Sequence, residues 1–179
     1  MVLIMGQSWF TKLFCSSPDS DLEKLLVDAR TGNAQAQFNL GSSFSKGPDF
    51  KQAARWYLEA ANQDHVKAQF ALGVMLAGGR GVPQDEAKAL IWIGKAAQRG
   101  CSDAQLALGL RCRRASFKET PQDAIESTLE AYKWFRLASA QNCKGSETEF
   151  ECLAISMTQE QVIEGNRRVA AFLASSKDQ

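Results

Sequence analysis

The stretch Ala68-Gln69-Phe70-Ala71-Leu72-Gly73 belongs to a pattern that occurs three times, with the other copies at 36–41 and 104–109. Each copy is followed by a segment that begins with tryptophan and ends in small residues. These segments are 56–61, 92–97 and 134–139. Self-similarity at a period of this length is typical of proteins built from stacked helical units. The sequence therefore predicts a repeat protein.

Two constant spacings define the helices of the predicted repeat. A residue that tolerates a left-handed backbone stands at one fixed distance before each Leu-Gly glycine, which places a first helix, helix A. A polar cap residue stands at one fixed distance before each tryptophan, and the next left-handed residue ends a second helix, helix B. The caps are Asp49, Asp85 and Ser127, and the helix ends are Asp64, Gly100 and Asn142, with Gly32 before the first repeat. We predict a helix B of equal length in all three repeats.

The small residues predict how the two helices pack. Gly41, Gly73 and Gly109 fall inside helix A, where each glycine costs about 1 kcal/mol relative to alanine. Their recurrence at one site indicates that helix B approaches closely there, and we expect the alanine pairs 60–61 and 96–97 to face the contact. The tryptophans are expected to fill the core between repeats. All length variation falls between helices A and B, as a stack of helical hairpins allows.

The ends of the chain carry signals for capping helices. Ser20 to Glu23 has the spacing of a capping box and predicts a helix from Leu22 to Thr31. Thr158 and Gln161 predict a final helix of about 159–174. The predicted map has an N-terminal segment at 1–19, either flexible or a hydrophobic plug, a repeat domain at 20–174 and a frayed tail at 175–179. The repeat domain divides into a cap (20–32), three repeats (33–64, 65–100 and 101–142) and a C-terminal cap (143–174).

Composition excludes several classes of protein. The chain has 179 residues, 45% of them hydrophobic, and its 21 Lys and Arg balance 20 Asp and Glu, so nothing favours binding to nucleic acid. No apolar run approaches the roughly 20 residues of a membrane span, and we expect no stable membrane insertion. The five cysteines are odd in number and lack Cys-x-x-Cys spacing, which favours buried free thiols in the cytoplasm.

These residues resemble the Sel1-like repeat family, a branch of the tetratricopeptide-like solenoids. The second repeat matches the family pattern nearly throughout, in Leu72-Gly73, the turn 79–85, Trp92, the alanines 96–97 and Gly100. The resemblance covers residues 22–174. It implies an all-α fold, a right-handed α/α solenoid of three Sel1-like helical hairpins with N- and C-terminal capping helices. The first and third repeats lack the family's Gly-x-Gly-Val turn, so contacts of that loop do not carry over to them.

The resemblance also implies a function. Related solenoids bind peptides along the concave surface that their A helices line, which makes this chain a non-enzymatic interaction module: an adaptor, a regulator or a specific inhibitor of the immunity type. The groove residues transferred by position are Gln35, Phe38, Ser42, Lys46, Lys67, Phe70, Val74, Leu110, Arg113 and Arg114. Apolar centres with basic ends suit a protein or peptide partner with acidic groups. The alternative for the cluster 111–114 is a solvated helix end, and the chain itself is expected to be a monomer or weak dimer.

No residue pattern indicates catalysis, a cofactor or a metal site. The single histidine, His65, lacks a catalytic partner and is expected at the surface or between repeats. The glycines at 78–81 indicate a repeat turn rather than a phosphate-binding loop, and the glutamates 147, 149 and 151 indicate a solvated face.

Two alternatives to an adaptor stay open. One is an enzyme or small-ligand binder like the cysteine-rich, β-lactam-interacting members of the family, although those members pair cysteines at a regular short spacing that this chain lacks. The other is a self-associating scaffold that would use the N-terminal apolar cluster. That cluster consists of Trp9, Phe10, Leu13 and Phe14.

Overall fold

The computed structural model describes residues 19–117 and 120–176. Every regular element in those residues is an α-helix, which confirms the predicted all-α solenoid. The helices are α1 (Asp19–Arg30), α2 (Ala34–Lys46), α3 (Phe50–Asn62), α4 (Val66–Gly78), α5 (Glu86–Gln98), α6 (Ser102–Ser116), α7 (Pro121–Ser139), α8 (Ser146–Ser156) and α9 (Gln159–Ser175). The predicted N-terminal plug, the Trp9 to Phe14 cluster and residues 177–179 of the predicted tail lie outside the described residues.

The helices pair as a stack of antiparallel hairpins. Helices α2 and α3, α4 and α5, and α6 and α7 form the three hairpins, in which the even-numbered helix is helix A and the odd-numbered one is helix B. Each B helix also contacts the A-type helix that follows it, so that α3 packs on α4, α5 on α6 and α7 on α8. The stack is closed by α1 against α2 and by α9 against α7.

Two of the three predicted helix-B caps are confirmed. Asp49 Oδ1 accepts the Gln52 amide at 3.0 Å, and Asp85 Oδ1 accepts the Lys88 amide at 2.9 Å. The prediction for Ser127 is wrong. This residue lies inside α7, whose first residue is Pro121 and whose N-cap is Thr120. Proline is favoured in the first turn because it has no amide hydrogen to satisfy. The B helices therefore have 13, 13 and 19 residues rather than one common length.

All four predicted left-handed residues adopt positive φ. The angles are 97° at Gly32, 63° at Asp64, 85° at Gly100 and 55° at Asn142. At the end of α3, the amides of Asp64 and His65 donate to the carbonyls of residues 61 and 60, at 3.0 and 3.1 Å. This pairing satisfies carbonyls that a helix end would leave free, so each helix turns sharply into the next.

The capping helices differ from prediction at their ends. Helix α1 starts at Asp19, which places Ser20 within the helix rather than at its cap. The capping box of Thr158 and Gln161 is confirmed, and α9 runs to Ser175, one residue into the segment that was predicted to fray. Helix α9 is held on α7 by an ion pair, with Arg168 Nη1 at 2.6 Å from Glu126 Oε1.

The close approach of helices A and B at the three glycines is confirmed, but the residues that face them are large. A Cβ added at Gly41 would lie 2.6 Å from Tyr57 Cδ1, and one at Gly109 would lie 2.5 Å from Phe135 Cδ1. Gly73 meets Ile93 in the same way. The predicted alanines instead lie in the core with the next A helix, where all four are at most 1% exposed.

The tryptophans are buried to unequal extents. Trp134 is 8% exposed and packs edge-on against Phe172 of α9, with 5.4 Å between ring centroids. Trp56 and Trp92 are only half-buried, so the prediction of core tryptophans holds fully for the third repeat alone. The difference arises because α9 covers Trp134.

The glutamine of the Ala-Gln-x-x-Leu-Gly pattern has a role that the sequence analysis missed. Its side chain is buried in each repeat, and its Nε2 donates to a carbonyl in the last turn of the preceding helix, at 3.1 to 3.3 Å. The pairs are Gln37 with Ala29, Gln69 with Ala61 and Gln105 with Ala97. These bonds cross from one unit to the next, so they fix the offset between neighbouring units.

The glycine turn of the second repeat braces the first repeat. Gly79 ends α4 in the left-handed region, and Gly81 has φ of 73° with its Cα against the backbone of Phe50. Arg80 stacks over the Phe50 ring at 4.4 Å. The turn prediction is confirmed, and its residues serve packing between repeats.

We predict opposite effects of alanine at two helix glycines. Gly109→Ala forces a methyl group into Phe135 and should lower the free energy of unfolding by about 1–3 kcal/mol. Gly94→Ala, in the middle of α5 with no atom within 4 Å of the added Cβ, should raise it by up to about 1 kcal/mol. Urea unfolding followed by circular dichroism measures both, and equal effects would contradict the proposed close approach.

Candidate partner-binding surface

Three of the predicted groove residues line one cleft. Phe38 of α2 and Lys67 and Phe70 of α4 meet in a depression of about 590 Å³, to which all three repeats contribute residues. The rest of its lining comes from Tyr57, Val66, Ala71, residues 99–103 and Gln141. We call this depression the Phe38–Phe70 cleft. Its walls are apolar and aromatic, and its rim carries the ammonium group of Lys67.

His65 holds the α2 side of this cleft in place. Its ring stacks on Phe38 with 4.8 Å between centroids, and its Nε2 lies 3.1 Å from Gln35 Oε1. Its Nδ1 accepts the Ala68 amide at 3.2 Å and thereby caps α4. Nδ1 is therefore the acceptor and Nε2 carries the hydrogen, which is the neutral tautomer. The predicted location of His65 between repeats is confirmed.

Burial lowers the pKa of His65 from its ordinary value of 6.5, and the nearby Lys67 ammonium lowers it further, while a hydrogen bond to its own backbone acts in the opposite direction. The geometry gives the same result, because a protonated Nδ1 cannot accept the Ala68 amide. His65 also lies at the N-terminus of α4, and the positive end of that helix dipole disfavours an imidazolium cation, which lowers the pKa further.

The remaining predicted residues of α2 and α4 continue the same helix faces. Gln35 is exposed and donates to Asn39 at 3.0 Å, Ser42 is half-buried, and Lys46 is exposed in the last turn of α2. Val74 is 43% exposed, one turn beyond Phe70 on α4. Residues spaced by three or four positions share one helix face, so these side chains extend the cleft along the A helices.

The predicted basic end of the groove is partly neutralised. Arg113 forms an ion pair with Glu149 of α8 and lies 5.9 Å from the Phe135 ring centroid. The prediction of a solvated face for Glu149 is therefore wrong, because α8 turns this carboxylate onto α6. Leu110 is half-buried in the core around Phe135, whereas Arg114 is exposed. Arg114 has no ion pair within the described part of the chain.

Two charged residues of the cleft were missed from the sequence, Arg99 and Asp103. Asp103 has the same offset from its Leu-Gly glycine as Gln35 and Lys67, so the repeat pattern held enough information to find it. Asp103 Oδ1 accepts the Cys143 thiol at 3.6 Å. Burial raises the pKa of that thiol, and the Asp103 carboxylate also raises it.

The cysteines and the possible metal ligands do not converge on a site in the described chain. The thiols of Cys101, Cys112 and Cys143 are half-buried and that of Cys152 is exposed, which corrects the expectation that all thiols are buried. Within residues 19–117 and 120–176, no three His, Cys, Asp or Glu side chains group as metal ligands would. None of the helices described above has the length and apolarity needed to cross a membrane.

The repeats found in the structure match a known family. A family model for the Sel1 repeat matches residues 34–65, 66–101 and 102–143, which together span more than half of the chain. The chain belongs to the Sel1 repeat family. Each matched Sel1 unit starts at the first residue of an A helix and ends one residue after the left-handed residue that follows helix B. The matched units therefore agree with the observed hairpins.

Two solved structures share this Sel1 architecture. A protective antigen of uropathogenic Escherichia coli strains with the SLR fold superposes with a TM-score of 0.74 and 27% identity, over 88% of this chain and 33% of the antigen. A Sel1 repeat protein from Oxalobacter formigenes superposes with a TM-score of 0.60 and 28% identity, over 73% of this chain and 97% of that protein.

A curated relative is also similar in sequence. Chitin synthase regulatory factor 3 of Schizosaccharomyces pombe is 28% identical in an alignment of 151 residues that covers 80% of this chain. The matched region is only 16% of that fungal protein, so this chain corresponds to a small part of its length. The repeats of this family generally mediate protein binding.

We predict that acid destabilises the Sel1 domain through His65. The unfolded chain binds a proton near pH 6.5 and the folded chain only at lower pH, so stability is complete above about pH 6.5 and falls below it. His65→Asn keeps a cap, because Asn33 caps α2 in the same way, but removes the titration. Urea unfolding from pH 7.5 to 5 should show a smaller decline for this variant, and equal declines would contradict the prediction.

We also predict that the two arginines at the end of α6 differ in their structural roles. Arg113→Glu sets two carboxylates against each other at Glu149 and should lower the free energy of unfolding by about 1–3 kcal/mol. Arg114→Glu, at an exposed position, should change it by less than about 0.5 kcal/mol. Thermal and urea unfolding of both variants test this, and similar losses would argue against the Glu149 contact.

Proposed function

We propose that the chain is a non-enzymatic interaction module that holds a partner protein or peptide against its A helices, as an adaptor, regulator or specific inhibitor. The observation that carries the proposal is the Phe38–Phe70 cleft. It brings three aromatic side chains, two cations and one carboxylate to one concave site. Concave sites with apolar walls and a few polar groups at the rim are typical of binding surfaces.

The chemistry of the surface indicates the kind of partner. Phe38 and Phe70 offer apolar area for a bulky side chain, and Lys67 and Lys46 offer exposed ammonium groups on the same helix faces. We therefore propose a partner segment that combines apolar and acidic side chains. Three repeats supply enough A-helix surface for a standard interface of about 800 Å² per partner.

The relatives support an interaction role without identifying the partner. Sel1 repeats generally mediate protein binding, and the fungal relative is named as a regulatory factor. A regulatory role for this chain is part of the proposal, as are its cytoplasmic location and its existence as a monomer or weak dimer.

His65 supports the non-enzymatic part of the proposal. One ring nitrogen caps α4 and the other contacts Gln35, so both are used in structural contacts. A general base needs a nitrogen free to accept a substrate proton. For the self-associating alternative, the apolar residues that would carry it lie outside the described residues.

The test is capture of partners from a lysate of the source organism by the purified full chain and by surface variants. Val74→Glu and Lys67→Glu alter the A-helix surface at exposed positions. Leu58→Glu and Lys51→Glu are matched controls on the outer face of α3, and Leu58 is 42% exposed against 43% for Val74. Arg113 is unsuitable for this test because its reversal would disturb the contact with Glu149.

The proposal expects a partner that both A-helix variants lose and both α3 controls retain. Loss with the α3 controls alone would move the binding surface to the B helices. Retention by all four variants would exclude the A-helix surface. Turnover of a chromogenic β-lactam by the wild-type chain would contradict the non-enzymatic role.

A further inference from the structure

The second repeat breaks a hydrogen-bond pattern that the first and third repeats share. Gln63 and Gln141, at the ends of α3 and α7, donate to the Oε1 of the buried pattern glutamine in their own repeat, at 2.7 and 2.9 Å. The second repeat has Arg99 at the corresponding position. Its buried glutamine, Gln69, is 0% exposed, and its Oε1 has no hydrogen-bond partner among the described residues.

Arg99 pairs with Asp64 and not with Gln69 directly. Its Nη1 lies 2.9 Å from the Asp64 carbonyl and 3.1 Å from Asp64 Oδ1, which also accepts Gln69 Nε2 at 3.2 Å. The two side chains are 45% and 64% exposed, and an ion pair this exposed adds little stability. An unpaired buried carbonyl costs more than such a pair contributes. Arginine at this position leaves the Gln69 carbonyl without the donor that glutamine supplies in the first and third repeats.

The position of Arg99 fits a role in binding. It lines the Phe38–Phe70 cleft and also a neighbouring cleft of about 810 Å³, whose apolar side chains include Val66 and Phe172. The charged side chains lining the two clefts are three cations, Lys67, Arg99 and Arg136, and one carboxylate, Asp103. The carboxylate already accepts the Cys143 thiol. The surface around Arg99 thus combines apolar walls with an excess of positive charge.

We propose that Arg99 is the residue with which the chain recognises its partner, by binding an Asp or Glu side chain of a protein segment whose neighbouring apolar side chain enters the Phe38–Phe70 cleft. This inference rests on the proposed interaction function and names the chemistry of the partner segment. The partner carboxylate replaces Asp64 on the guanidinium group, which forms paired hydrogen bonds with carboxylates. Exchange is easy because the existing pair is exposed.

The experiment uses phage-displayed random dodecapeptides, selected on the wild-type full chain. Enriched peptides are synthesised, and their affinity is measured by fluorescence anisotropy for wild type, Arg99→Gln and Arg111→Gln. Arg111 is a matched control, since it is 49% exposed and forms an ion pair of similar kind with Glu86, at 2.8 Å. The thermal midpoint of each variant is measured in parallel.

We expect enriched peptides with an acidic residue beside an aromatic or large aliphatic one. Arg99→Gln should weaken their binding at least tenfold, as loss of a charged hydrogen bond does, and should raise the thermal midpoint by giving Gln69 Oε1 a donor. Arg111→Gln should leave the affinity within about twofold and should not raise the midpoint. Replacing the peptide's acidic residue with its amide should weaken binding to wild type but not further weaken binding to Arg99→Gln.

Several outcomes would overturn the inference: no enrichment, peptides without an acidic residue, unchanged affinity in Arg99→Gln, or a lower midpoint in that variant. Failure here is distinguishable from failure of the proposed function. A partner that is captured from lysate, lost with Val74→Glu and retained by Arg99→Gln would keep the interaction function and remove the role of Arg99.

Discussion

The close contact between a helix-A glycine and a large helix-B side chain determines the arrangement of each repeat. Tyr57, Ile93 and Phe135 occupy the space that a Cβ would fill at the three glycines, so the two helices meet at one fixed point. This contact sets the rotation of helix A about its axis. In α2 it turns Ala36, Gln37 and Leu40 inward, and Phe38 and Ser42 then fall at the edge of the core. The groove is therefore a consequence of the glycine contact.

The buried glutamines add a second constraint, between units rather than within them. An apolar contact tolerates sliding, whereas a hydrogen bond from a side-chain amide to one carbonyl is directional. Gln37 and Gln105 each join the preceding helix end to the end of their own B helix through two bonds. Gln69 makes the first of these links, and its second link runs through Asp64, whose Oδ1 accepts Gln69 Nε2 at 3.2 Å and pairs with Arg99 at 3.1 Å.

Sequence reasoning succeeded where the determining interaction is local. The caps Asp49 and Asp85 and the left-handed stops depend on backbone groups within a few residues, so spacing alone identified them. It failed at Ser127 because Thr120 and Pro121 form an earlier helix start outside the repeat spacing. It also failed for the residues that face the glycines, since the contact depends on the crossing of two helices and not on residue size alone.

The geometry of the proposed binding surface could be predicted only in part for the same reason. Transfer by offset from Leu-Gly selected Phe38, Lys67 and Phe70, which line one cleft because helix A has one register in all repeats. It did not anticipate that α8 would pair Glu149 with Arg113, because α8 departs from the repeat pattern. Arg99 was missed because it lies at the end of a B helix. Its difference from Gln63 and Gln141 has a meaning only once the structure shows that those glutamines bond to the buried pattern glutamines.

The alanine, glutamine and glycine of the Ala-Gln-x-x-Leu-Gly pattern are buried in all three repeats, so this pattern specifies the scaffold, while exposed positions that differ between repeats specify the surface. At one exposed A-helix position the three repeats carry Gln35, Lys67 and Asp103, which are neutral, positive and negative in turn. The order neutral, positive and negative gives the proposed surface a direction. A partner segment with complementary charges would pair with both Lys67 and Asp103 in one orientation, whereas the reversed orientation would pair with Lys67 alone.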